Sequence, residues 1–146
     1  MVATAPFPRS ERTRASALER VCVLIVNFNS GQWLGRCVRA LKGQGNRLPR
    51  IRVLDNGSTD ASASDLPDMP GLSVSHAGTN LGFGPGINRL AQEADEDYLL
   101  ILNPDCLLVA DALERLITEL DDWPQAAMVS GRMAAIRAGE LFSQSR

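Results

Sequence analysis

The stretch Tyr98-Leu99-Leu100-Ile101-Leu102-Asn103-Pro104-Asp105 runs five apolar residues straight into a polar tripeptide. A run of this length without polar alternation predicts a strand buried on both faces of a sheet. Pro104 has no N–H and a fixed φ, so the ladder is expected to stop there. Asp105 is thereby delivered to the carboxyl end of a strand, where open α/β sheets bind their ligands. A carboxylate in that place suits a hard cation and, through it, a phosphate. It equally suits a residue that only opens a turn, and the rest of the chain decides between the two.

Upstream, residues 21–26 form a continuous apolar run that ends in Asn27-Phe28-Asn29-Ser30-Gly31. Ser30 is placed to cap the next helix, where Leu34, Cys37, Val38 and Leu41 recur at i, i+3, i+4 and i+7. Gly43 and Gly45 are expected to stop it. Residues 51–54 predict a second strand, closed by Asp55-Asn56-Gly57-Ser58-Thr59-Asp60, with a short helix expected to begin near Thr59. Residues 72–76 alternate as a strand with one wet face. The glycine-rich segment Gly78-Thr79-Asn80-Leu81-Gly82-Phe83-Gly84-Pro85-Gly86 permits close approach of a ligand. Helical spacing follows at Ile87, Leu90, Ala91 and Ala94, with Pro85 in its first turn. Beyond Asp105, Asp111 and Glu114 resemble a capping box, Leu113, Leu116, Ile117 and Leu120 make a buried stripe, and residues 126–129 read as a further strand.

Strands and helices thus alternate from Val21 onward, which predicts an α/β fold with a largely parallel sheet flanked by helices. In such a sheet every strand-to-helix loop lies on one edge. Asn27, Asn29, Asp55, Asp60, Asn103 and Asp105 then share one neighbourhood. It contains few bases, so a bound phosphate would need a cation, for which Mg²⁺ or Mn²⁺ held by one or two carboxylates plus phosphate oxygens is a usual solution.

At 146 residues the chain has the size of one domain, and 45% hydrophobic content supplies an ordinary core. A formal net charge of -2 excludes a general nucleic-acid binder. The three cysteines, Cys22, Cys37 and Cys106, fit no zinc or paired-disulfide spacing and read as small buried hydrophobes, consistent with a reducing cytoplasm. Residues 1–19 are polar and Arg-rich without a signal-peptide core, and predict a flexible arm. Its arginines are suited to peripheral contact with an anionic membrane, beside the plainer reading of a solvated tail. There is no GxxxxGK[ST] loop, and Gly82-Phe83-Gly84-Pro85-Gly86-Ile87 departs from a dinucleotide fingerprint, its third glycine falling one place early. His76 is the only histidine, which excludes a histidine cluster and is read as an incidental surface residue.

Taken together, Val23-Leu24-Ile25-Val26-Asn27-Phe28-Asn29-Ser30, Val53-Leu54-Asp55-Asn56-Gly57-Ser58-Thr59-Asp60, Asn80-Leu81-Gly82-Phe83-Gly84 and Leu102-Asn103-Pro104-Asp105 resemble family 2 glycosyltransferases, most of all their rhamnosyltransferase-like branch. The resemblance implies the Rossmann-like GT-A fold, inverting chemistry and a nucleotide-activated sugar donor, dTDP-rhamnose or a UDP-sugar. It implies that Asn27 and Phe28 line the base pocket, that Asp55 contacts the base, that Asn80 and Gly82 border the nucleotide, and that Asn29 belongs to the same nucleotide-sugar site. Asp105 would match the metal-binding aspartate of the family's DXD motif, with Asn103 in its first acidic place, one carboxylate fewer for Mg²⁺ or Mn²⁺.

Family members carry a further carboxy-terminal region that binds the acceptor and supplies the acidic general base. The resemblance places that base beyond Arg146 and leaves residues 20–146 as an incomplete, donor-binding part with no catalytic base of its own. Two readings follow. One is the donor half of a cytoplasmic enzyme, peripheral to the membrane, acting on a glycan or lipid-linked acceptor. The other is a non-catalytic nucleotide-sugar-binding or assembly module. An unfinished sheet edge would favour a homo-oligomer.

Overall fold

Every residue of β1 (Val21–Asn27) is buried, and the molecule is built around this strand. The computed structural model describes residues 17–44, 47–137 and 140–143. Successive side chains of a strand point to opposite faces, so a strand with no exposed residue needs cover on both sides and neighbours on both edges. β1 pairs in parallel with β2 (Arg50–Asp55) on one edge and with β4 (Tyr98–Ile101) on the other. β3 (Leu72–His76) adds to β2, also in parallel, giving the order β3-β2-β1-β4.

Three helices cover this sheet. α1 (Trp33–Lys42) buries Leu34, Cys37, Val38 and Leu41, the stripe its spacing predicts. With Leu113 and Ile117 of α3 (Ala112–Asp122) it packs on Val21, Val23, Ile25, Ile51 and Val53. α2 (Phe83–Ala91) lies on the other face, with Ile87 and Leu90 against Cys22, Leu24, Val26 and Leu54. The contact is close at Gly86, where an added Cβ would stand 2.9 Å from a Val26 methyl. The α/β architecture with a parallel, helix-flanked sheet is therefore as the alternation predicts. The chain lays down β1, β2 and β3 in one direction and then crosses back to place β4 on the far side of β1. That reversal makes a switch point between β1 and β4, the place where such sheets open a ligand crevice beyond their carboxyl ends.

Several local expectations are overturned. β4 is an edge strand and is not buried on both faces: Leu99 is 46% and Ile101 53% exposed. They stand opposite Cys22 and Leu24, on the face that α2 covers over β1 and β2 but not over β4. An unbroken apolar run does not distinguish a central strand from an edge strand. Ser30 does not cap α1, whose N-cap is Gln32 without a side-chain bond; its hydroxyl turns back to Asn27 Oδ1. No helix forms near Thr59: residues 59–64 make bends and a turn, with the Thr59 and Asp60 N–H groups donating to Asn29 Oδ1. Asp111 is the N-cap of α3 but has φ 61° and makes no capping bond, so the capping box is not built. Residues 126–129 are irregular, and an antiparallel pair, β5 (Ala134–Arg137) with β6 (Glu140–Ser143), forms where no strand is expected.

Ahead of β1, Ala17–Arg20 makes a single 3-10 turn with Leu18 buried; residues 1–16 of the expected arm lie outside the described residues, as does Gly45. Arg20 donates to Asp97, to both carboxylate oxygens of Asp121 and to the Tyr98 hydroxyl, tying the entry of β1 to that of β4 and the end of α3. Cys22 and Cys37 are buried and Cys106 half-buried, all unpaired. Burial pushes the Cys37 thiol up to about 12 and the Cys22 thiol to about 11, so both behave as small apolar groups.

Candidate functional site

The carboxyl edge of the sheet is organised by one buried amide. Asn27, the last residue of β1, is fully buried. Its Nδ2 lies 3.2 Å from Asp55 Oδ1, 3.1 Å from Ser58 Oγ and 2.9 Å from Ser62 Oγ, and its Oδ1 accepts from Ser30. Asn27 and Asp55 are register partners at the ends of β1 and β2, so the ladder itself sets them side by side. A buried polar group costs about 1–3 kcal/mol if left without a partner, which makes so full a set of bonds a strong constraint on the two loops.

The loop after β1 is latched to the loop after β2 at three further points. The Asn29 N–H donates to Ser58 Oγ, Asn29 Oδ1 receives Thr59 and Asp60 N–H groups, and the Gly31 N–H donates to Asp60 Oδ2. Asn29 adopts φ 50°, a left-handed conformation that asparagine tolerates better than most residues. Phe28, between the two asparagines, is about half exposed.

Asp55 is the carboxylate at the centre. Burial pushes its pKa up, but the Ser58 hydroxyl, His76, the Asn27 amide and the Ser58 N–H together outweigh burial and hold it below the usual carboxylate range. It is thus an ionised acceptor in a fixed direction, able to take an N–H from a ligand.

A third loop joins through Asn56, also buried. Its Nδ2 donates to Asn80 Oδ1 and the Gly82 carbonyl, and its Oδ1 accepts the Leu81 N–H. Asn80 Oδ1 also receives the Gly82 N–H. The approach is possible because residue 57 is glycine: it has φ 80°, and a Cβ there would stand 2.9 Å from the Thr79 carbonyl carbon.

The segment after β4 supplies the fourth loop. The Leu102 N–H still bonds to the Leu24 carbonyl, and the Asn103 carbonyl receives the Cys106 N–H and lies 3.7 Å from Cys37 Sγ of α1. Asn103 and Asp105 have exposed side chains. The four strands β1 to β4 being parallel, Asn27 and Asp55 at the ends of β1 and β2, and Phe28, Asn29, Asn80, Gly82, Asn103 and Asp105 beyond strand ends, lie on one edge. Among the described residues no group of three His, Cys, Asp or Glu side chains could hold a metal.

Asn56, Ser58, Ser62 and His76 were not singled out by the sequence as site residues. Asn56 and Ser58 read as turn formers beside the site residues Asp55 and Asp60, whereas here they belong to the hydrogen-bond frame of the site. The available signal was their density immediately after a buried strand.

The chain matches the model of Glycosyl transferase family 2 over residues 22–145 and belongs to that family. It is 28% identical over 136 residues to an N-acetylglucosaminyl-diphospho-decaprenol L-rhamnosyltransferase of Mycobacterium tuberculosis, covering 85% of this chain and 44% of that protein. It is 28% identical over 117 residues to the O-antigen chain rhamnosyltransferase RfbN of Salmonella typhimurium, covering 77% of this chain and 37% of the relative. The chain thus spans less than half the length of these curated relatives. S. aureus TarS 1-349 in complex with UDP-GlcNAc superposes with a TM-score of 0.59 at 22% identity, over 70% of this chain and 31% of that one, a likeness of fold. The expected family and the GT-A type of fold are thereby established.

Proposed function

We propose that this chain is the donor-binding part of a sugar transferase whose donor is dTDP-rhamnose or a UDP-sugar. The observation that carries the reading is the fixed, ionised Asp55 at the carboxyl edge, framed by Asn27 behind it and by the Asn56-pinned 80–82 loop beside it. A uracil or thymine presents a ring N–H to such an acceptor. Asn27, wholly buried, holds Asp55 rather than touching the ligand; Phe28 offers an apolar surface for the base, and Asn29 keeps the loop in place. Asn80 and Gly82 border the nucleotide. The rhamnosyltransferase names of the relatives support rhamnose as the sugar.

Asp105, with Asn103 beside it, would hold Mg²⁺ or Mn²⁺ together with the donor's diphosphate. Such a cation, when bound, neutralises the charge that develops as the diphosphate leaves. In inverting transfer the acceptor oxygen bonds to the anomeric carbon while the bond to the diphosphate breaks, and the acceptor's proton passes to a general base. The acceptor is proposed to be a glycan or a lipid-linked sugar, as the name of the mycobacterial relative suggests, and the setting cytoplasmic at the membrane surface. Among the described residues no helix is long and apolar enough to cross a membrane.

Isothermal calorimetry with UDP-, dTDP-, CDP- and GDP-sugars, with and without Mn²⁺, tests the reading. Binding of a uridine or thymidine donor, strengthened by Mn²⁺, is expected; no heat with any of them under either condition overturns it.

A further inference from the structure

His76 ends β3 as the register partner of Asp55 at the end of β2. Its Nδ1 lies 3.3 Å from Asp55 Oδ2, while the other carboxylate oxygen is engaged by Asn27. The two partners differ sharply in setting: the His76 side chain is 66% exposed and that of Asp55 11%. The carboxylate therefore sits between a fully buried amide and an exposed imidazole. A carboxylate so placed has its direction set by Asn27, Ser58 and His76, and of the amide and the imidazole only the histidine is exposed.

We propose that His76 is a positioning residue for the donor's base: its Nδ1–H orients Asp55 Oδ2, and its exposed ring forms the outer wall of the base subsite. The inference rests on the donor-binding reading above and adds the residue through which that site recognises a base rather than a diphosphate. With its proton on Nδ1, the ring leaves Nε2 as an acceptor toward solvent or ligand. An asparagine at position 76 can offer an amide N–H in roughly the place of Nδ1, whereas alanine offers nothing. Sequence reading treats this lone histidine as incidental, because only strand register brings it beside Asp55.

The test compares wild type, His76→Ala and His76→Asn by calorimetry in Mn²⁺ with UDP, dTDP and inorganic pyrophosphate, which has no base. Loss of a charge-assisted hydrogen bond predicts roughly tenfold weaker UDP or dTDP binding by His76→Ala. Recovery is expected in His76→Asn, with pyrophosphate binding unchanged in both. The Asp55 carboxyl, followed by NMR titration without ligand, is expected to titrate at higher pH in His76→Ala than in wild type. If wild type binds the nucleotides and His76→Ala binds them equally well, or loses pyrophosphate binding in parallel, the role of His76 is overturned and the donor site stands. An unmoved Asp55 titration overturns it without reference to any ligand. If wild type binds no nucleotide, the donor reading falls and this inference with it.

Discussion

Asp55 and Asp105 are both carboxylates at strand ends, yet their surroundings differ. Asp55 is enclosed and held ionised by donors on three sides. Because its folded-state pKa lies below its unfolded one, it stabilises the fold fully above the unfolded value, ordinarily about 4, and that contribution is lost as pH falls through the folded value. Urea unfolding followed from pH 6 down to pH 2.5 is expected to show this loss, and Asp55→Asn to show a flatter acid limb. Asp105 is exposed, and Asn103 lies two positions before it. Asp105→Ala is expected to leave stability within about 0.5 kcal/mol of wild type. It should weaken Mn²⁺-dependent nucleotide binding by about tenfold, equivalent to about 1.4 kcal/mol, and calorimetry with and without Mn²⁺ reads the difference. Affinity unchanged by this substitution would place the cation elsewhere.

At the scale of elements, the contrast is between the two faces of the sheet. α1 and α3 cover one face, whereas α2 covers only β1 and β2 on the other. The α2 contact is made by backbone at Gly86, so Gly86→Ala is expected to push the helix off Val26 and Leu54, with a loss of about 1–3 kcal/mol in urea unfolding. β4, left uncovered on that face, presents Leu99 and Ile101 beside an edge with no partner strand among the described residues. Edges of this kind template association. Leu99→Lys combined with Ile101→Lys is expected to change stability by less than about 1 kcal/mol in urea unfolding, both side chains being about half exposed.

For the molecule as a whole, the proposed donor site links folding to binding, because its loops come to one edge only in the native sheet. The loops after β1, β2, β3 and β4 are separated by tens of residues in sequence and share one edge in space. A donor that binds only this arrangement stabilises it by about 2.7 kcal/mol at a hundred times its Kd. The melting temperature is therefore expected to rise with UDP- or dTDP-sugar plus Mn²⁺, and by clearly less in Asp105→Ala. A melting temperature that ignores the ligand in wild type would show that these loops are not its receptor.

The amino-acid sequence by itself determined the alternation of strands and helices, the buried stripes of α1, α2 and α3, and the loops that carry Asn27, Asp55, Asn80 and Asp105. These are local matters of hydrophobic period and turn chemistry, visible within a window of ten residues. The sequence misled where it buried β4 on both faces, made Ser30 a helix cap and began a helix near Thr59: β4 lies at an edge, Ser30 turns back to Asn27, and Asn29 holds the 59–60 turn from another loop. It brought Asn27 and Asp55 to one edge but read His76 as incidental, and so missed that the histidine joins them. Those outcomes depend on strand order and register, which arise from contacts between residues 20 to 80 positions apart, and only the tertiary structure assembles them.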